Sequence, residues 1–429
     1  MINDKLIDKS FIKNILTNYG TQICLTGLGF IWVSLITYNA GIAILGYVSL
    51  LNAMGATFTN FVSFRTNESV ISFYRQGITQ HKYCLCSLAL LGGIILDGAM
   101  ACILFFLISL CTPAISTLFL KDISKINEIY IFSLFLVSNF LRGTSIGLLN
   151  AEEKFTIAYF IPVIENIGKI CILLIFILIN KNISLENIVT SMFISSSAVT
   201  SIVYFYPIKR IITLRSHLKT IKSSQIKSYF LFSFSTFIST TLKSGGQQLD
   251  ILILGYLLPA TSVGIFSLFK QFLGVLLQIS APFGGQLYPR IVQARSQKNH
   301  TAVTEAISLC SRKIILADLF AIPSLFIIFY IYCIFNNIYI DYYTIICFYI
   351  LALSYVLSQM QWWSRSFFLT YAPQYSIYLN LIPLIITTPI YFILGKNFQL
   401  LGICLSSLIC SFVMLTTIIH CRKRILKLF

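Results

Sequence analysis

The segment "FLFSFSTFISTTLKSGGQQLDILILGYL", Phe230 to Leu257, is apolar enough for a bilayer, yet it carries Lys243, Gln247, Gln248 and Asp250. A lysine or an aspartate at the centre of a membrane helix costs about 2.5–3.5 kcal/mol, and each Leu, Ile or Phe returns roughly 0.3–0.6 kcal/mol. The two sides nearly cancel, so the segment needs protein or water along its polar side. That side is ordered. Ser233, Thr236, Thr240, Lys243, Gln247 and Asp250 recur at spacings of three and four, within an arc of about 100°. Such a stripe faces a cavity or a partner helix rather than lipid. Gly245 and Gly246 lie midway along it and give close packing or local flexibility.

The rest of the chain is of the same kind. Of its 429 residues 57% are hydrophobic and only 10% charged, with a mean hydropathy of +0.84. Soluble chains carry about 25% charged residues. Long apolar runs bounded by polar clusters imply an all-α polytopic membrane protein, and the long runs argue against a β-barrel. The first run is too long for a cleavable leader and is expected to remain as a span. Twelve spans are predicted, at roughly 14–37, 44–64, 84–110, 127–149, 157–179, 187–207, 229–257, 263–287, 312–334, 342–363, 375–394 and 400–420.

Charge sets the expected orientation. Outside the spans, Lys and Arg crowd one set of loops and termini, and the alternate set holds only Lys121, Lys125, Lys181 and Lys396. The positive-inside rule then places both termini in the cytoplasm. It also accounts for the net charge of +17 with no nucleic-acid partner. The basic run "IKRIITLRSHLKTIKSSQIKS" reads as a cytoplasmic linker, residues 208–228, between an N-terminal lobe (1–207) and a C-terminal lobe (229–429) of six spans each. Weak internal identities support a parallel repeat: "GYVSL" from Gly46 meets "GIFSL" from Gly264, "IPVI" from Ile161 meets "IPLI" from Ile382, and Asp97 meets Asp318.

Further stripes occur in other spans: Ser354, Ser358, Gln361 and Arg365 in the tenth, Ser267, Gln271 and Gln278 in the eighth, and Asn52, Thr59 and Ser63 in the second. Converging, they would wall a central polar cavity between the lobes. Taken singly, each Ser or Thr serves as hydrogen-bond glue between helices. The charged residues point to the cavity, because ionisable groups inside a membrane mark functional sites. Glu165 and Lys169, at i and i+4 with Glu first, form an intrahelical ion pair or else meet substrate. Lys243 meets either an anion or Asp250.

The twelve cysteines lie mostly in apolar runs and read as small buried hydrophobes. The scattered cysteines and four histidines suggest no metal site, and no cofactor is expected. The chain carries no nucleotide-binding loop, zinc-protease motif or nucleophile triad, so an enzyme is disfavoured.

A two-lobe, twelve-span chain with a polar centre reads as a secondary transporter. The span-two exit "SFRTNESVISFYRQG", the span-four exit "RGTSIGLLNAEEKF" and "QLDILILGYLLPATSVGIFSLFKQ" resemble the polysaccharide flippases. These are the Wzx-type O-antigen exporters of the multidrug/oligosaccharidyl-lipid/polysaccharide (MOP) superfamily. The resemblance implies movement of an undecaprenyl-pyrophosphate-linked sugar repeat from the cytoplasmic to the periplasmic leaflet of a bacterial inner membrane. It implies a lipid-linked oligosaccharide and membrane lipid as partners, and other polysaccharide-assembly membrane proteins beside them. Arg65, Arg142, Lys243, Gln247, Lys270, Arg290 and Arg365 are the expected substrate contacts, since Lys and Arg hold phosphate and amides hold sugar hydroxyls. Asp97, Asp250 and Asp318 are the candidates for gating or for coupling to H+ or Na+. The alternatives are an ion-coupled multidrug exporter of the same superfamily and, from a different class, a membrane polysaccharide polymerase or ligase.

Overall fold

The computed structural model describes residues 9–179, 183–244, 248–296, 300–371 and 375–426. Gln247 lies outside them, as do the side chains of Lys243, Arg290 and Arg365. Among the described residues every regular element is helical. Ten helical stretches are long and apolar enough to cross a membrane, which makes this a multi-pass membrane protein.

Helix α1 (Lys9–Ala40) stops at Gly41, whose φ of 84° suits a residue without a β-carbon, and α2 (Ile42–Val62) starts directly after it. The chain then turns at Arg65, at φ 49° and ψ 47°, into α3 (Thr66–Thr79). A left-handed arginine costs roughly 1–2 kcal/mol. Its carbonyl still accepts the Glu68 N–H at 2.9 Å, which closes the first turn of α3. Helix α3 is amphipathic: Thr66, Ser69, Val70, Phe73, Tyr74 and Gly77 are buried. Gly77 lets it approach Cys86 of α4 (Tyr83–Ala114), because a β-carbon there would lie 2.6 Å from the Cys86 sulfur.

The fourth span is broken. Helix α5 (Ile126–Phe140) ends before Leu141 and Arg142, and the chain restarts as α6 (Gly143–Ala151). Helices α7 (Phe155–Ile179) and α8 (Leu185–Leu214) follow, and the basic stretch beyond α8 is a 3-10 turn over Arg215–Thr220. Span seven is also broken. Helix α9 (Ser223–Ser244) and α10 (Leu249–Leu257) are separate, with Gln248 at φ −118° and ψ 6° between them. The continuous stripe expected from Ser233 to Asp250 is therefore interrupted. Gln248, just before α10, is not helical, and the 3-4 pattern runs through it only on paper.

After α11 (Ala260–Ser296), α12 (His300–Phe335), α13 (Tyr342–Gln359) and α14 (Ser364–Tyr371) comes α15 (Tyr375–Leu426). The apolar stretch Leu384–Ile425 has 42 residues. A straight helix of that length would measure about 63 Å, twice the roughly 30 Å hydrocarbon core. Gln399, at φ 51° and ψ −130°, breaks it into two spans. The broken α5–α6 pair recurs 221 residues on: α6 starts at Gly143 and α14 at Ser364, each after a non-helical break.

Contacts gather the chain into two units. One comprises Met1–Ile44 and Leu51–Gly245, the other Leu45–Leu50 and Gly246–Phe429. In the first, Val70, Leu85, Leu88, Ala89, Leu90 and Leu148 form a core that joins α3, α4 and α6. In the second, Phe269, Phe272, Phe329 and Phe348 interlock, mostly edge to face, at centroid distances of 5.1 to 5.6 Å.

Candidate functional site: charged groups inside the spans

Of the charges singled out in the sequence, Arg65, Asp97, Arg142, Glu165 and Lys169 have described side chains inside the first unit, and the helix breaks there position Arg65 and Arg142. Restarting a helix leaves free N–H groups, which must find acceptors. Asp97 of α4 supplies them for α6. Its Oδ2 accepts the Thr144 N–H at 2.8 Å and the Thr144 hydroxyl at 2.6 Å, and its Oδ1 accepts the Thr66 hydroxyl. Asp97 is 1% exposed. Gly143 makes room for it, because a β-carbon at 143 would stand 2.9 Å from Asp97 Oδ1.

Arg142 occupies the break itself and is also buried. Its Nη1 meets Glu165 Oε2 at 2.5 Å, its Nε donates to Thr200 Oγ1 at 2.7 Å, and its Nη2 donates to the Ser196 carbonyl at 3.2 Å and to the Ser196 hydroxyl. The guanidinium fork is thus filled by α7 and α8. This replaces the intrahelical Glu165–Lys169 pair expected from the sequence. The planar guanidinium holds its donors in a fixed fork that meets Glu165, Thr200 and Ser196 together. Lys169 instead sits 4.7 Å over the ring of Trp32 of α1, and no described carboxylate forms an ion pair with it. Arg65 lies at the α2–α3 elbow and is partly buried.

In the second unit Asp250, in the first turn of α10, binds Lys270 of α11 through both carboxylate oxygens, at 3.1 and 2.9 Å. Asp250 thus has a partner on another helix. Asp318 of α12 is as buried as Asp97, but its environment differs. Its Oδ1 accepts from Gln359 Nε2 at 2.9 Å, while its Oδ2 and the Gln359 Oε1 have no hydrogen-bond partner among the described residues. The expected roles of Lys243, Gln247, Arg290 and Arg365 fall outside the described residues.

The hydroxyl stripes act mainly as glue. Ser354 of α13 donates to the Ser407 carbonyl, Ser354 and Ser358 each meet Ser411 Oγ at 2.9 Å, and Gln361 reaches the Ser411 carbonyl at 3.2 Å. All these partners are on α15. On α9, Ser233 meets Ser69 at 2.8 Å, and Thr236 donates to the Phe64 carbonyl at 3.4 Å. Sequence reasoning missed Trp32 and Gln359. A lone tryptophan at mid-span was the available signal for the first. Gln359 lies off the stripe that defined its helix and gave none.

At the end of α6, outside the spans, Glu152 gathers Tyr74 of α3 (3.0 Å), Lys154 (2.9 Å), Arg210 of α8 (2.8 Å) and the Tyr206 hydroxyl. Burial would raise its carboxyl. The hydrogen bonds from Tyr206, Lys154, Arg210 and Tyr74 outweigh burial and hold it at about 2. The Tyr74 phenol is pushed up by burial and then by the carboxylate beside it. Arg75 and Glu153 add an exposed pair at 2.9 Å.

The fold matches that of solved structures of MOP-superfamily transporters. The chain is similar to an inward-facing MATE multidrug resistance transporter of that superfamily, with a TM-score of 0.73 at 16% identity, over 94% of this chain and 95% of the other. It is similar to the lipid II flippase MurJ in an inward closed conformation, with a TM-score of 0.66 at 14% identity, over 96% and 87% of the two chains. A third likeness is to a MOP transporter from Pyrococcus furiosus described as having a binding pocket of reversed polarity (TM-score 0.58, 14% identity, 96% and 94% covered). No curated protein sequence matches significantly. The sequence profile of the polysaccharide biosynthesis proteins matches residues 11–295, and the chain belongs to that family.

Proposed function

We propose that this protein is a flippase that moves an undecaprenyl-pyrophosphate-linked O-antigen or polysaccharide repeat from the cytoplasmic to the periplasmic leaflet of the bacterial inner membrane by alternating access. Family membership supports the polysaccharide context. The observation that carries the reading further is Lys169. A cation within a span must meet a counter-charge or water. Here Arg142 takes the nearby Glu165 as its ion-pair partner, and Lys169, which feels Glu165 only at longer range, lies over an aromatic ring and forms no ion pair with a described carboxylate. An anionic diphosphate would complete it.

Lys270 is the matching cation of the second unit, held by Asp250. An anion that displaces Asp250 from Lys270 would open the pair, which gives Asp250 a gating role. Arg65, Lys243, Gln247, Arg290 and Arg365 remain further proposed contacts, and Asp318, with an open carboxylate oxygen, a proposed coupling residue.

The deciding experiment is deletion of the gene followed by complementation. The deletion strain should accumulate lipid-linked sugar repeats on the cytoplasmic face, and wild-type protein should clear them where Lys169→Met does not. A deletion strain with normal surface polysaccharide but impaired export of cationic dyes would establish the multidrug reading instead.

A further inference from the structure

The second unit holds a cleft of about 900 Å³ where the basic ends of α12 and α15 meet the α13–α14 break. Three cations line it, Arg312, Lys313 and Arg422, against a single acid, Glu305. No described carboxylate forms an ion pair with any of the three. Arg422 is oriented by Trp363, with its guanidinium carbon 5.1 Å from the ring centroid. Trp363 is itself locked in the core by an edge-to-face contact with Phe367 at 5.9 Å. The floor, including Leu316, Met360 and Leu415, is apolar.

The surroundings continue the pattern. Beyond the cations, α12 presents Leu309, Leu316, Leu319 and Phe320 along one face, all exposed, with Phe320 at 74%. In a bilayer that face meets acyl chains. The site therefore has a cationic, partly pre-oriented head end and an apolar track leading away from it. Basic pockets between helices at the positive end of a membrane protein recognise phosphate headgroups.

We infer that this cleft binds an anionic phospholipid of the surrounding bilayer, with its phosphodiester between Arg312, Lys313 and Arg422 and an acyl chain along the Leu316–Phe320 face of α12. The charge complementarity selects an anion, and the lateral apolar track selects one already dissolved in the membrane. The inference rests on membrane embedding and not on the transport reading.

Trp363 reports on the cleft directly. The full chain carrying Trp32→Phe and Trp362→Phe, with Trp363 as its sole tryptophan, is placed in nanodiscs containing brominated phosphatidylglycerol or brominated phosphatidylcholine. Quenching is expected at roughly hundred-fold lower mole fraction of the phosphatidylglycerol, since the three basic residues contribute about 1 kcal/mol each and about 1.4 kcal/mol is ten-fold. The combined variant Arg312→Gln, Lys313→Gln, Arg422→Gln should lose the preference. The charge-preserving set Arg312→Lys, Lys313→Arg, Arg422→Lys should keep it, which separates charge from loss of fold. Native mass spectrometry of the chain with all its tryptophans should retain phosphatidylglycerol over phosphatidylcholine in the same order. Equal quenching by both lipids, or a preference that survives neutralisation, overturns the inference. So does relief of quenching by millimolar inorganic phosphate, which would mark a soluble-anion site. Relief by a polyprenyl phosphate but not by unbrominated phosphatidylglycerol would assign the cleft to an isoprenoid lipid and overturn it too.

Discussion

Arg142 Nη1 lies 2.5 Å from Glu165 Oε2, and this contact ties the break between α5 and α6 to α7. With Thr200 and Ser196 filling the rest of the fork, Arg142 is a strut of the first unit. Lys169, over the Trp32 ring, forms no ion pair with a described carboxylate, which is why it is the proposed substrate cation of that unit.

The strut is expected to show strong coupling. Removing one partner of a buried ion pair costs about 3–5 kcal/mol, because the other charge is stranded. Arg142→Met should therefore unfold in detergent at a much lower temperature than wild type, as should Glu165→Met. The double variant should recover most of the loss. Simple addition of the two single effects in thermal denaturation would show that the pair carries no such coupling.

Lys169 should behave in the opposite way. Its ammonium contributes one cation–π contact, worth about 0.5–2 kcal/mol. Lys169→Met should keep the melting temperature within a few degrees of wild type. It should reduce surface polysaccharide on the order of ten-fold, the cost of one charged phosphate contact. Lys169→Arg should restore most of the output. Normal polysaccharide display by a well-expressed Lys169→Met protein would remove Lys169 from the path.

The Glu152 cluster gives a pH dependence of defined sign. Its folded carboxyl sits at about 2, below the ordinary value of 4.5. A depressed pKa stabilises the fold above the unfolded value, and that contribution fades as pH falls from about 4.5 towards 2. Solvent screening limits it to roughly 1–2 kcal/mol. Glu152→Gln should lower stability by that amount at pH 7 and by almost nothing near pH 2. Melting curves recorded across this range test the sign: an equal deficit at both ends would mean that the carboxylate charge contributes nothing.

The sequence and the structure differ most where a helical pattern runs across a break. Hydropathy located the spans well, since about twenty apolar residues in a row have few alternatives to crossing a bilayer. It could not see the turn at Gln248 before α10, because a 3-4 stripe continues on paper across a helix break. Arg142 was legible as too deep for a topology signal, but its partners on α7 and α8 were not, since they depend on which faces pack together. Ser354 and Ser358 of α13 looked like cavity lining when their helix was read by itself. Seen together, Ser354, Ser358 and Ser411 saturate one another.

The two aspartates matched by the 221-residue repeat, Asp97 and Asp318, should respond differently to the same substitution. Asp97 accepts from a backbone N–H and two hydroxyls. An amide at that position turns one acceptor into a donor facing donors. Asp97→Asn should then cost about 1–3 kcal/mol, the penalty for a buried group left unsatisfied. Gly143→Ala should cost a similar amount by crowding the same carboxylate. Among the described residues, Asp318 accepts only from Gln359 and lies beside the unpartnered Gln359 Oε1. An amide in place of that carboxylate could accept with its oxygen and donate to the Gln359 Oε1, so Asp318→Asn should be neutral to stabilising in the same detergent melts. Equal destabilisation by both variants would mean that another group fills the open side of Asp318. A neutral Asp97→Asn would mean that the start of α6 does not depend on its cap.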